Sequence, residues 1–207
     1  MKQTRKPSFN KELKLQNKNF LAFGIDEVGR GSFAGPLVAA AVSFKKEHLW
    51  FDKINDSKLL THKKRKYLSR LILKHGACFI EIIDVNIINE FGIGKANKLI
   101  FENLVNKINK EYKGKKNYFL IDGNKKKLNY KNTDFIVKGD QKSISIAASS
   151  IIAKVYRDEL MRKLGKKYKG YNFFKNKGYG TRFHQKAIKK LGLSEIHRKS
   201  FNLEKFL

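Results

Sequence analysis

Gly24-Ile25-Asp26-Glu27-Val28-Gly29-Arg30-Gly31-Ser32-Phe33-Ala34-Gly35-Pro36 places two adjacent acids at the end of an apolar run, followed by glycines around a single arginine. Upstream, Asn19 to Asp26 reads as a strand, with Phe20, Leu21, Phe23 and Ile25 separated by small residues. Downstream, Pro36 to Phe44 is almost wholly apolar, as a strand buried on both faces is. The connection is short, so the two strands are expected to pair antiparallel. Glycine turns let backbone approach a ligand closely, and hard cations take oxygen ligands. The stretch therefore suits metal and phosphate chemistry, although taken alone it also reads as a tight turn with solvated acids.

Farther out, Thr61 has the character of an N-cap for a helix to about Lys74, with Leu68, Leu71 and Ile72 inward and Gly76 as its stop. Ala77 to Ile83 is a third strand. Asp84 is placed to cap a short helix through Asn89, and Gly92 and Gly94 break the chain before a longer helix from Lys95 to Lys110. Leu99, Ile100, Leu104, Val105 and Ile108 are spaced as its inward face. Asn117 to Asp122 is a fourth strand, the lysine run Lys125-Lys126-Lys127 a loop, and Asp134 to Val137 a short fifth strand. A helix from Lys142 to about Leu164 follows. Then come a basic and aromatic segment with Tyr168, Tyr171, Phe173 and Phe174, a turn at Gly178-Tyr179-Gly180-Thr181, and a last helix capped by Thr181. Alternating strands and helices give an α/β fold with a mixed sheet.

The acids are few, 18 against 46 basic residues, so their placement carries information. Asp26-Glu27, Asp122-Gly123 and Gly139-Asp140 share a pattern: an apolar strand, a carboxylate, and glycine close by. Functional groups gather at strand ends in α/β sheets. Four carboxylates brought together cannot all stay ionised without a counter-charge. One or two divalent cations supply it, and an all-oxygen set selects Mg²⁺ or Mn²⁺. Two such ions about 4 Å apart activate water and stabilise the leaving oxygen of a phosphodiester. Because neighbouring strand residues point to opposite faces, Asp26 and Glu27 are expected to share a site only if the strand ends or bulges there.

The formal charge of +28 points to a polyanionic partner. Only eight of the 46 basic residues are arginine. Lysine is a hydrated point charge, which favours phosphate neutralisation over base reading. Together with the acids, this reads as a metal-dependent nuclease. The rival reading is a non-catalytic nucleic-acid-binding protein in which the acids are incidental. The single cysteine, Cys78, excludes an internal disulfide framework, fits a reducing compartment, and lies in an apolar run as inert core. No apolar stretch is long enough to span a membrane. Gly29-x-Gly31 lacks the third glycine of a dinucleotide fingerprint, Gly92-x-Gly94-Lys95 lacks the span of a P-loop, and no nucleophile elbow accompanies the serines.

Between Phe20 and about Phe201 the chain resembles the type 2 ribonucleases H, ribonuclease HII, of bacterial type. The motifs are Gly24 to Gly31 with Ala34-Gly35-Pro36, Asp56-Ser57-Lys58, Ile121-Asp122-Gly123, Lys138-Gly139-Asp140, and Ser145 to Val155 with Arg157-Asp158. Gly178-Tyr179-Gly180-Thr181, His184 and His197 to Phe201 complete the set. The related type 3 enzymes lack the arginine of the turn and carry an added N-terminal domain, so Arg30 and a lead of about 18 residues favour type 2. Ala147-Ala148-Ser149 and Leu59 depart from the usual three alanines and second lysine.

The resemblance implies a ribonuclease H-like mixed sheet of about five strands flanked by helices, with a C-terminal helical extension. Met1 to Lys18, charged and without an apolar core, reads as a loose basic extension (1–18), ahead of a catalytic domain (19–165) and a helical substrate-binding part (166–207). The resemblance makes Asp26, Glu27, Asp122 and Asp140 the catalytic and metal-binding carboxylates for a pair of Mg²⁺ or Mn²⁺ ions. Gly29, Arg30, Gly31, Ser57, Lys58, Tyr179 and His184 form the substrate-binding set, with the Gly-Arg-Gly turn reading a 2′-hydroxyl and Tyr179 packing on the next deoxyribose. The implied reaction is endonucleolytic cleavage of RNA in RNA/DNA hybrids and nicking 5′ of single ribonucleotides in duplex DNA, leaving 5′-phosphate and 3′-hydroxyl ends. A cytoplasmic monomer without a membrane anchor is expected, with any protein partner left open.

Overall fold

Strand β1 (Phe20–Val28) lies at the centre of a five-stranded sheet of order β3-β2-β1-β4-β5, with β2 at Leu37–Ser43, β3 at Ala77–Ile83, β4 at Lys116–Asp122 and β5 at Thr133–Ile136. The computed structural model describes residues 6–124 and 130–207. The Lys125-Lys126-Lys127 loop and Met1 to Arg5 lie outside the described residues. As expected from the short turn, β1 and β2 pair antiparallel; β2 and β3 also pair antiparallel, while β1–β4 and β4–β5 are parallel. Ile25 is level with Ile121, so Asp26 and Asp122 emerge side by side from adjacent parallel strands.

Among the described residues there are six α-helices, α1 (Asn10–Gln16), α2 (His62–His75), α3 (Val85–Glu111), α4 (Ile144–Lys167), α5 (Phe173–Asn176) and α6 (Arg182–Leu191), besides short 3₁₀ turns. On one face of the sheet α3 buries Ile100, Phe101, Leu104, Val105 and Ile108 against Phe23, Ile25 and Phe119. Each such side chain contributes roughly 1.5–3 kcal/mol when fully buried. On the other face, α2 supplies Leu68 and Ile72, and α4 supplies Ala147, Ala148 and Ile151, against Val38, Ala40 and Val42. This alternation along β2 buries the strand on both sides. Gly24 allows α4 to lie directly on β1: a Cβ there would stand 2.2 Å from the backbone N of Ile146.

The N-terminal extension, expected to be loose, packs against the body over its described residues. Helix α1 packs on the body, and Glu12, only 1% exposed, reaches the start of α4. Its Oε1 accepts from Ser143 Oγ at 2.5 Å, Ser145 N at 2.9 Å and Ser145 Oγ at 2.6 Å. A carboxylate is favoured there because the first amides of a helix are unpaired and its dipole is positive.

Two further expectations change. Leu99 is exposed, and Phe101 takes an inward place instead. The predicted break comes at Gly92 alone, with φ 76°, while Gly94 continues the helix. Cys78 is partly buried, and burial pushes its thiol up to about 12, which keeps it protonated and inert.

Candidate active site

The acids meet at the ends of β1 and β4. Strand β1 runs without a bulge through Val28, with Asp26 opposite Ala40 and Glu27 opposite Ala39. Of the two conditions for a shared site, a strand end or a bulge, no bulge is present, but the ladder with β4 ends at Ile25–Ile121, so Asp26 and Glu27 lie past it and pair with β2 alone. Asp26 instead folds back on its own chain, where Oδ1 accepts the N–H of Glu27 at 2.8 Å. Asp122 Oδ1 accepts the N–H of Gly139 at 2.6 Å, tying the end of β4 to the 3₁₀ turn Gly139–Gln141 that carries Asp140.

Asp26 is 8% exposed and Asp140 is 9% exposed. Burial, then the charges of Glu27 and Asp122, push the Asp26 carboxyl up to about 8, against hydrogen bonds from Ser150 and the Glu27 amide. Asp140 is raised by burial, then by Asp56 and Asp122, with Lys58 and the Gln141 amide opposing. These couplings operate only between groups near one another, so Asp26, Glu27, Asp122 and Asp140 form one electrostatic cluster.

Beside it, the Gly29-Arg30-Gly31 turn presents Arg30 and Gly31 to solvent. Gly29 has φ 91°, and a Cβ there would lie 2.2 Å from Arg157 Nε, so both conformation and space call for glycine. Two wholly buried arginines support the loop through its carbonyls. Arg157 donates to Pro36 O, Ala34 O and Lys177 O at 2.9–3.1 Å. Arg198 donates twice to Gly35 O and, at 3.0 Å, to Arg30 O. Tyr179 stands across the loop through a bridge to Ser32, with Lys154 Nζ and Arg157 Cζ 5.6 and 5.5 Å from its ring centre.

The sequence model of ribonuclease HII matches residues 23–204. The chain belongs to the ribonuclease HII family. Ribonuclease HII of Wolbachia sp. subsp. Brugia malayi is 43% identical over 195 residues, spanning 94% of this chain and 93% of that protein. Its counterpart in Fusobacterium nucleatum is 47% identical over 190 residues, spanning 90% and 87%. Among solved structures, RNase HII of Archaeoglobus fulgidus in complex with PCNA superposes with a TM-score of 0.73 at 21% identity, over 86% of this chain and 94% of that one. Bst-RNase HIII in complex with Mn²⁺ gives 0.68 at 21% identity, over 91% and 69%. At those identities the likeness is one of fold. As a ribonuclease HII the chain is a ribonuclease H, a hydrolase of RNA/DNA hybrids. Among the described residues no helix is long and apolar enough to cross a membrane.

Within this ribonuclease HII, no three of the described acids, histidines or cysteines close into a ready-made metal cage. The donor set nonetheless fits a hard divalent cation. All its atoms are carboxylate oxygens, and Mg²⁺ is commonly held by one or two carboxylates with waters and substrate oxygens completing the shell. Asp26 is raised first by its burial and then by the charges of Glu27 and Asp122, and a cation bound among these oxygens would oppose that rise.

Three of the substrate residues implied by resemblance occupy different places from one another. Lys58 is exposed and close enough to Asp140 to oppose its rise. Ser57 is buried, and its Oγ lies 3.0 Å from Ser150 Oγ, so it reaches Asp26 through Ser150 rather than facing substrate. His184 is also wholly buried, bonded to Tyr179 O and His197. A buried imidazole cannot contact a nucleic acid, and both residues lie behind the surface. Asp56 figured only as part of the Asp56-Ser57-Lys58 motif and not among the acids, yet its charge bears on Asp140; it follows no strand and no glycine follows it, so the strand-end pattern passed over it.

Proposed function

We propose that this ribonuclease HII is a Mg²⁺- or Mn²⁺-dependent endonuclease that cleaves RNA in hybrids and nicks on the 5′ side of single ribonucleotides in duplex DNA. Its products carry 5′-phosphate and 3′-hydroxyl ends, and its work belongs to ribonucleotide removal during repair and replication in the cytoplasm. The observation that carries the reading is the electrostatic cluster of Asp26, Glu27, Asp122 and Asp140 beside a Gly-Arg-Gly turn braced by buried arginines.

Asp26, Glu27, Asp122 and Asp140 would hold the cations. When bound, a metal pair supplies an activated water and stabilises the leaving oxygen. The protein's share is placement. Ser150 and the Glu27 amide orient Asp26, and the Gly139 amide orients Asp122. Lys58 sets a positive charge beside Asp140, where a phosphate would approach. Gly29, Arg30 and Gly31 read the 2′-hydroxyl, the sugar group that separates RNA from DNA. Tyr179 packs on the next deoxyribose and disfavours a second hydroxyl.

A cleavage map on all-DNA, single-ribonucleotide and full-hybrid duplexes tests the whole reading. Asp122→Asn and Asp140→Asn each remove a metal-ligand charge while keeping shape. Loss of a group that merely orients a ligand already costs roughly 10–100-fold, so each variant should lose more than about 100-fold in kcat with duplex binding retained. Undiminished nicking by both would remove the metal assignment.

A further inference from the structure

The tail residues His197 and Arg198 touch both halves of the surface just described. Arg198 donates to Arg30 O at 3.0 Å, and its N–H donates to Phe33 O at 2.8 Å. His197 leads to Tyr179. Its Nε2 lies 3.0 Å from His184 Nε2, and His184 Nδ1 lies 3.0 Å from Tyr179 O. On the far side, His197 Nδ1 is 2.8 Å from both the N–H and the hydroxyl of Ser194.

The direction of this chain follows from its ends. A carbonyl oxygen only accepts, so His184 carries its proton on Nδ1. In a neutral ring Nε2 of His184 is then the acceptor, and His197 must donate from its own Nε2. That leaves His197 Nδ1 free to accept from Ser194, whose backbone N–H can only donate. All partners agree on one arrangement of neutral rings. Both histidines are wholly buried, walled by Tyr171, whose ring centre is 4.9 Å from that of His197, and by Phe173, 5.2 Å from that of His184. Burial lowers both imidazoles, His197 to about 4, which keeps the rings neutral.

We propose that Ser194, His197 and His184 form a one-way hydrogen-bond relay that positions Tyr179, and that His197-Arg198 fixes the spacing between Tyr179 and the Gly29-Arg30-Gly31 turn. The proposal rests on the reading of that turn and Tyr179 as the ribonucleotide-recognition surface. It makes His184, His197 and Arg198 positioning residues for specificity: none needs to touch nucleic acid, and each acts through a carbonyl of a residue that does.

The readout is the ratio of kcat/KM on a single-ribonucleotide duplex to that on a full hybrid. A displacement of about 1 Å costs up to 100-fold in a positioned reaction, so Tyr179→Ala and His197→Ala should each lower the ratio about tenfold or more. In the double variant the ratio should fall no further than with Tyr179→Ala alone, because both changes remove one function. His197→Gln, whose amide N–H can donate to His184, should recover most of the ratio. Nitrogen-15 NMR of the unaltered protein at neutral pH should show the proton on Nδ1 of His184 and on Nε2 of His197. An unchanged ratio in Tyr179→Ala would remove the recognition reading itself. A lowered ratio in Tyr179→Ala with no change, or an additive change, in His197→Ala would overturn the relay and leave that reading intact. Opposite tautomers would overturn the relay even if the alanine variant fails to fold.

Discussion

Asp26 combines burial with two neighbouring negative charges, and its carboxyl rises to about 8 in the metal-free protein. The consequence for stability has a definite sign. Between its ordinary value of 3.8 and about 8 the folded state holds a proton that the unfolded state has released, so stability falls as pH rises through this window. The buried histidines act oppositely below pH 6.5, because the unfolded state takes up protons that His184 and His197 refuse. Above about pH 7 their contribution is spent and Asp26 dominates. In EDTA, thermal unfolding should therefore move to lower temperature between pH 7 and 8, at up to about 1.4 kcal/mol per pH unit for one proton. Millimolar Mg²⁺ or Mn²⁺ should raise the Tm more at pH 8 than at pH 6, and Asp26→Asn should remove the slope. A metal-free Tm that rises from pH 7 to 8 would contradict the coupling of these acids.

The element that most changes the picture is α1. Strands β1 to β5 were legible to within about two residues because apolar runs and glycine stops are local signals. The caps of α2 and α6 were legible for the same reason: Thr61 and Thr181 accept from Lys64 N and His184 N, each three residues on. Glu12 had no local signal, since its partners Ser143 and Ser145 lie more than 130 residues away. The relay was hidden for another reason: His184 and His197 are both legible as motif residues only 13 apart, but the bond between them depends on how the tail folds back. Glu12→Ala leaves two buried hydroxyls and one helix amide without their shared acceptor, and should cost roughly 2–4 kcal/mol in urea unfolding. Glu12→Gln keeps one acceptor oxygen and should cost about half as much. Equal stability of Glu12→Ala and the unaltered protein would mean that α1 is not part of the folded unit.

At the scale of the whole molecule, charge sets how substrate arrives and shape sets what is cut. The surplus of +28 was plain from composition, but composition does not say where it acts. Arg30, Lys58, Lys138 and Lys142 are exposed, and each lies in the acid-bearing loops or in the recognition turn. In the proposed function these exposed cations would flank the acid cluster as a rim and hold the phosphates on either side of the scissile bond. If these four each neutralise one phosphate, log(kcat/KM) should fall against log[salt] with a slope of about −3.6, or roughly a hundredfold between 50 and 200 mM salt. Because the rim attracts any duplex, this slope should appear in KM and be similar for hybrid and single-ribonucleotide substrates. Lys58→Ala with Lys142→Ala should reduce it by about 1.8 and leave the ratio between the two substrates unchanged. The placement of the proposed recognition turn is separate from the charge that Arg30 lends to the rim, since its backbone is held through the Arg30 carbonyl by Arg198. Arg198→Lys should therefore lower the single-ribonucleotide ratio at every salt concentration while keeping the slope. Should the two lysine substitutions shift that ratio instead of the slope, Lys58 and Lys142 would take part in recognition rather than in attraction alone.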